Sequence, residues 1–184
     1  MDGVQPGDDL VAAFRRWAAG ERASAAAGNR ARERRLRDQA AASATWAGVL
    51  VDLAEAAATV VVRLGALTCT GRIVAVARDF CVIEPTSGRP SLIALAAISA
   101  LSPQQTGQSP PAGDRQPHLS LSMAGALAAL AEERTPVGLT LAHDVHVEGE
   151  LAAVGEDVVT LRNEAPARRP VYVRLASIVR CELR

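Results

Sequence analysis

Two ten-residue segments of the chain share one arrangement of apolar positions. They are WAGVLVDLAE, residues 46–55, and MAGALAALAE, residues 123–132, and in each the first, fifth and eighth residues are large and apolar. Side chains at i, i+4 and i+7 lie on one face of an α-helix. The pattern therefore predicts two short amphipathic helices, with the second starting 77 positions after the first.

Short runs rich in Val, Leu and Ile follow each predicted helix, and they recur in the same order. The matched segments are 56–64 with 133–141, 71–83 with 149–161, and 91–98 with 171–178. Gaps in this alignment fall only where turns are expected, so we interpret the pattern as an internal duplication. Each copy is predicted to form one helix followed by four or five short strands.

Closure of the sheet is expected in each copy, because a flat apolar strand such as LIALAAI, residues 92–98, would otherwise be exposed at an edge. We therefore predict an α+β fold of two tandem small antiparallel β-barrels, each preceded by a helix, plus an N-terminal helical arm. The predicted segments are the arm at 1–42, the first helix and barrel at 43–101, a flexible linker rich in Pro, Gln, Gly and Ser at 102–120, and the second helix and barrel at 121–184.

Each copy has a Gly-led strand, an Asp turn and a closing Leu-x-x-Ile, an order that resembles the Sm-like family of small barrels within the SH3-like class. The residues that carry the resemblance are Gly71, Ile73, Asp79, Leu95 and Ile98 in the first copy and Gly149, Leu151, Asp157, Leu175 and Ile178 in the second. The resemblance implies small barrels that pair strands side by side or in a ring.

The chain departs from the Sm-like pattern at the positions that contact RNA in that family. The Asn expected four positions after the Asp is replaced by Ile83 and Leu161. The Arg-Gly pair of the closing motif is replaced by Ala96-Ala97 and by Ala176-Ser177. The resemblance therefore concerns the fold and does not carry over the family's RNA contacts.

Composition indicates a globular protein without strong charge. The 20 basic residues are all Arg and are balanced by 20 acidic residues, which argues against a dedicated nucleic-acid binder. Cys69, Cys81 and Cys181 lie in apolar runs without C-x-x-C spacing, as reduced core thiols do. No signal-peptide pattern opens the chain, and no apolar stretch approaches the roughly 18 to 20 residues of a membrane span. We expect a cytoplasmic protein without membrane contact.

The N-terminal arm carries two candidate binding features. Leu10, Phe14 and Trp17 form an apolar helical stripe that can face a protein partner. The densest basic run can follow a phosphate backbone, although Glu33 and Asp38 also allow i,i+4 ion pairs. The run consists of Arg30, Arg32, Arg34, Arg35 and Arg37.

Catalytic and metal-binding patterns are weak in this sequence. His143 and His146, with Asp144 and Glu148 nearby, could share a metal ion only across a turn, and an exposed polar loop is the favoured interpretation. The absence of Lys removes phosphate loops and Schiff bases, and no G-x-S-x-G or H-E-x-x-H occurs. We expect no enzyme activity, no catalytic residues and no cofactor.

The leading functional hypothesis is a non-enzymatic interaction or scaffold module that associates with a protein partner or with itself. One alternative is a nucleic-acid-binding regulator, with RNA or DNA held by the Arg run and the barrels supplying oligomerisation. A second alternative is a small-ligand sensor with its site between the barrels.

Overall fold

The computed structural model describes residues 6–104, 113–162 and 169–184, and the side chains of 6–14 and of residue 40 lie outside the described part. Three helices are α1 (Pro6–Ser43), α2 (Trp46–Glu55) and α3 (Met123–Glu132). Ten strands are β1 (Thr59–Leu64), β2 (Leu67–Val76), β3 (Phe80–Pro85), β4 (Ser91–Ala94), β5 (Ala100–Pro103), β6 (Pro136–Leu141), β7 (His146–Val154), β8 (Val158–Arg162), β9 (Pro170–Arg174) and β10 (Ile178–Leu183). Short 3₁₀ turns occupy Leu95–Ala97, Ala142–Asp144 and Leu175–Ser177.

The chain divides into two compact units, Met1–Ser43 and Ala44–Arg184. The first unit contains α1, a 38-residue helix rich in Ala and Arg, which are strong helix formers. Each side chain that is described in this helix is exposed or half-exposed. None of the helices in the described residues is long and apolar enough to cross a membrane.

Both short helices begin and end in the same way. Thr45 Oγ1 accepts a hydrogen bond from the Gly48 amide at 3.0 Å, and Ser122 Oγ accepts one from the Gly125 amide at 3.2 Å. Such N-caps satisfy amide groups that have no partner within the helix. After each helix, a residue with positive φ redirects the chain into the first strand, Ala57 at 48° and Arg134 at 52°. The sequence duplication therefore recurs as duplicated local structure.

All ten strands form one open antiparallel sheet, so the prediction of two closed small barrels is wrong. The strand order is β5-β1-β2-β3-β4-β10-β6-β7-β8-β9. The α+β class fits only loosely, and the sheet is continuous across both copies. The physical reason is that β4, the apolar strand expected to need closure, is covered by β10 of the other copy. An edge can be protected by pairing with another segment as well as by closing a barrel.

Each half of the sheet repeats the same strand order. The first half runs β5-β1-β2-β3-β4, and the second runs β10-β6-β7-β8-β9. The strands β2 and β7 occupy equivalent places in the two copies, and each contains a β-bulge, between Ile73 and Ala75 and between Leu151 and Ala153. A bulge bends its strand and increases the local twist.

A glycine permits close approach of neighbouring strands in each half. A Cβ on Gly71 would lie 2.4 Å from the Glu84 carbonyl oxygen, and a Cβ on Gly149 would lie 2.6 Å from the Arg162 carbonyl oxygen. Both distances are shorter than van der Waals contact allows. Glycine is therefore required at the same point of both copies.

Two apolar clusters lie against the sheet. The first joins α2 to β1, β2 and β3, with Leu50 fully buried at its centre. The second joins α3 to β6, β7 and β8, with Leu127 fully buried. The second cluster also includes Phe80 and Leu92 from the first half. The core is therefore shared across the junction of the two copies.

The described part of the segment predicted as a linker contacts α2. The Gly113 amide donates to Asp52 Oδ2 at 2.8 Å, and the Gly113 carbonyl accepts from the Thr45 amide at 2.8 Å. Arg115 lies 3.3 Å from Asp52 and also forms an ion pair with Glu55. These contacts hold residues 113–115 beside the helix. Residues 105–112 of the predicted linker lie outside the described part of the chain.

Candidate protein-interaction edges

The two copies meet at one antiparallel strand pair, which we call the seam and define as Ser91–Ile93 of β4 with Arg180–Glu182 of β10. The pairs across it are Ile93 with Arg180, Leu92 with Cys181, and Ser91 with Glu182. Ser91, Leu92, Ile93 and Cys181 are all buried. The seam is therefore built as core and not as a surface contact.

A polar pair fixes one point of the seam. The Arg180 Nε donates to Ser91 Oγ at 3.1 Å, and Ser91 is fully buried. Arg180 also forms an ion pair with Glu182 on its own strand. Buried polar groups need partners, so this hydrogen bond favours the observed register over its neighbours.

The strand β9 ends the sheet and, among the described strands, pairs only with β8. Its central residue Tyr172 is 70% exposed, whereas Leu92, the matching residue of the first copy, is 6% exposed in the seam. Val171 is half-buried, whereas its counterpart Ser91 is buried. The free edge at β9 therefore exposes Tyr172 and part of Val171 at positions that are buried in the seam.

The strand β5 ends the sheet on the opposite side and pairs only with β1 among the described strands. Ala100, Ser102 and Pro103 are exposed, and Leu101 is half-buried. The chain carries no Lys, and these four residues carry no charge, so the edge lacks the charged side chains that usually block edge pairing. Pro103 is the only residue of β5 without an amide proton.

The Arg run predicted to contact nucleic acid lies on α1, and all five of its side chains are exposed. Glu33 lies 3.7 Å from Arg37, an i,i+4 pair typical of a solvated helix. In the described part of α1, Asp38 has no ion pair with Arg34 within 4.0 Å. The helix therefore presents a row of cations that is partly balanced by one carboxylate.

The apolar stripe predicted to meet a partner is described only in part. Trp17 is 62% exposed on α1. Leu10 and Phe14 lie in the same helix, but their side chains fall outside the described residues. The use of this stripe stays a prediction.

The structure places the two candidate metal ligands in different environments. His143 belongs to the 3₁₀ turn between β6 and β7, with φ of 63°, whereas His146 begins β7. The His146 Nδ1 lies 3.2 Å from Thr140 Oγ1. Within the described residues, no group of three or more His, Cys, Asp or Glu side chains could hold a metal ion.

All three thiols are free and buried. Burial raises the pKa of the Cys81 and Cys181 thiols to about 12 and also raises the pKa of Cys69. Because the thiolate is the nucleophilic form, these residues are poor nucleophiles at neutral pH. They act as apolar core residues.

An open cleft of about 460 Å³ lies beside the seam and has three arginines among its lining residues. Arg180 forms an ion pair with Glu182, and Arg184 forms one with Glu148. Two of the three positive charges are therefore already paired. The third belongs to Arg89.

The seam is the feature that reasoning from the sequence missed. A signal was present, because SLIALAAI is apolar almost throughout, whereas VYVRLASI alternates and carries Arg174. A continuous apolar run is typical of a strand that is buried on both faces, as β4 is in the seam, and alternation is typical of one with an exposed face. No protein-family model matches this chain, and no curated protein matches it either.

Proposed function

We propose that this protein is a non-enzymatic protein-interaction module of the cytoplasm that binds through the ends of its sheet. The observation that carries the proposal is the exposure of Tyr172 on β9, at a position whose counterpart in the first copy, Leu92, is buried in the apolar cluster that spans the seam. An exposed apolar edge strand is a template for another strand.

The exposure of α1 supports a second contact surface for the same module. An isolated helix is marginally stable in water, and most helices are stabilised by packing one face against another element. The described side chains of this 38-residue helix include no buried one. A partner that covers Trp17 and its neighbours would supply that packing.

The buried thiols support the non-enzymatic assignment and the cytoplasmic compartment. Their raised pKa keeps them protonated, and free thiols are typical of reducing compartments. The described residues place no cluster of titratable side chains suited to hold a metal. The three thiols are therefore unsuited to nucleophilic chemistry at neutral pH.

The proposal is tested in the source cells with a tagged full-length protein. Tyr172→Lys places a charge on the β9 edge, and Val145→Lys is a matched control because Val145 is 50% exposed in the turn before β7. We expect wild type and the control to migrate in complexes larger than the 19.2 kDa chain, and Tyr172→Lys to lose them. Complexes of unchanged size and amount in all three would contradict the proposal.

A second candidate function is nucleic-acid binding by α1, favoured by the exposure of all five arginines of its basic run. Arginines on one helix face can neutralise successive phosphates, and such binding weakens steeply with salt. Fluorescence anisotropy with labelled single-stranded RNA and duplex DNA tests it at two salt concentrations. Arg34→Gln with Arg35→Gln should weaken binding more than Arg15→Gln with Arg16→Gln, which removes the same charge elsewhere on the helix. Equal loss, or no binding at low salt, would contradict this function.

A further inference from the structure

We propose that the partner at the two sheet ends is a second copy of this chain, with β9 of one copy adding antiparallel to β5 of the next. This inference rests on the proposed use of the sheet edges, and it names their occupant. The result is a head-to-tail association that continues the ten-stranded sheet from one chain into another.

The seam supplies the geometry for this contact. The internal repeat matches Ser91–Ile98 with Val171–Ile178, so β9 is the counterpart of β4. The residues that follow Ile98 and Ile178 match in turn, so β5 is the counterpart of β10. Within the chain β4 pairs with β10, whereas the equivalent strands β9 and β5 are left at the two ends. A single chain cannot pair them with each other in the open sheet, but two chains can.

The register of the seam fixes the pairs expected between chains. Ile93 with Arg180 becomes Val173 with Ala100. Leu92 with Cys181 becomes Tyr172 with Leu101, and Ser91 with Glu182 becomes Val171 with Ser102. The contact would therefore bring the exposed ring of Tyr172 against the half-buried Leu101.

The side chains of the two ends match each other as those of the seam do. In the seam, Ser91 of β4 accepts a hydrogen bond from Arg180 of β10. At the free ends, Val171 on β9 is the counterpart of Ser91 and Ala100 on β5 is the counterpart of Arg180, and both are apolar. If only one had changed, the contact would leave a polar group without its partner. Their joint replacement keeps the edges complementary.

One feature makes the contact between chains weaker than the seam. The Leu183 amide donates across the seam to the Pro90 carbonyl at 3.5 Å. Its counterpart on β5 is Pro103, which has no amide proton. The contact between chains has one hydrogen bond fewer, so we expect it to be reversible.

The two ends are different surfaces, so the association is polar. Such a contact cannot form a closed twofold dimer. Successive copies form a ring if the rotation between them closes, and otherwise an open chain with one free edge at each end. A block at one end therefore leaves the other end active, which provides the test.

The experiment uses purified full-length protein in sedimentation velocity up to about 100 μM, a range that detects micromolar association. Wild type and Val145→Lys should form species larger than one chain. Tyr172→Lys and Leu101→Lys, each confirmed as folded by its melting temperature, should each associate more than about tenfold more weakly than wild type, because the contact would bury an unpaired charge. An equimolar mixture of the two should form a dimer and nothing larger, because one intact β5 meets one intact β9.

Pro103→Leu provides a second variant at an exposed position, in case Leu101→Lys does not fold. It restores the missing donor and should tighten association about fivefold, as one added hydrogen bond predicts. Monomeric wild type and monomeric Pro103→Leu throughout the concentration range would overturn the inference. So would unchanged assembly of Tyr172→Lys, or a mixture of folded blocked variants that stays monomeric. If purified protein is monomeric while cellular complexes still require Tyr172, the second copy is the wrong occupant and the proposed function stands.

Discussion

The two halves of the sheet share strand order, bulges, helix caps and required glycines, and they differ in what lies beyond their last strands. The first half ends at β4, which β10 covers, and the second ends at β9, which no described strand covers on its outer side. All three seam residues of β4 are buried, whereas Tyr172 in β9 is exposed. Equal local sequence patterns thus give equal local structure, while burial of an edge depends on the neighbour it meets.

The largest expected effect tests whether the two halves contain equivalent cores. Leu50→Ala and Leu127→Ala each remove a fully buried side chain at matched positions of α2 and α3. Each should lower the free energy of unfolding by about 2–5 kcal/mol, measured by denaturant titration. Val74→Ala, at a half-exposed position, serves as the control. A loss below about 1 kcal/mol at only one of the two leucines would show that the halves are not equivalent cores.

Alkaline pH should weaken both halves through their buried thiols. Folding raises the pKa of Cys81 and Cys181 from 9.0 to about 12, so stability is complete below pH 9 and is lost as pH rises toward 12. Each thiol should contribute about 1.4 kcal/mol of loss per pH unit in that window. Melting temperatures at pH 8 and pH 10 should differ less in Cys81→Ala and in Cys181→Ala than in wild type. An unchanged difference in both variants would contradict this assignment.

A smaller effect distinguishes the seam from the free edge. Ser91→Ala removes the buried acceptor of the Arg180 hydrogen bond and should lower stability by about 1–3 kcal/mol. Val171→Ala, at the matching position of β9, removes only a half-buried side chain and should lower the stability of the single chain by less than about 1 kcal/mol. Urea titration at low protein concentration measures both. Similar losses at the two positions would mean that β9 is covered as β4 is.

The smallest effect concerns the helix caps. Thr45→Ala and Ser122→Ala each remove the side-chain acceptor at the start of a helix, and each should lower stability by about 1 kcal/mol. Thr45 also donates to the Gly113 carbonyl at 3.2 Å, so its loss should be the larger of the two. Thr45→Ser should restore most of the difference, and thermal unfolding can check the order. A larger loss at Ser122 would contradict it.

Much of each copy could be predicted from the sequence because its signals are local. The i, i+4, i+7 spacing predicted both short helices, and the caps Thr45 and Ser122 precede them directly. Asp79 and Asp157 lie at matched turns, where their carbonyls accept from Leu95 and Leu175 at 2.9 and 2.8 Å. The candidate edges could not be predicted in this way, because β4 pairs with a strand that lies far along the chain, Ser91 and Arg180 being 89 positions apart, whereas β9 has no such neighbour among the described strands.

The sequence by itself determined the duplication and the order of helix and strands in each copy. These depend on contacts between residues close in the chain and on the period of the apolar pattern. Only the tertiary structure decided that β4 pairs with β10, that the sheet is open, and that β5 and β9 remain at its ends. A strand edge offers the same backbone hydrogen bonds to any partner, so its neighbour is selected by side chains that meet only in the folded chain.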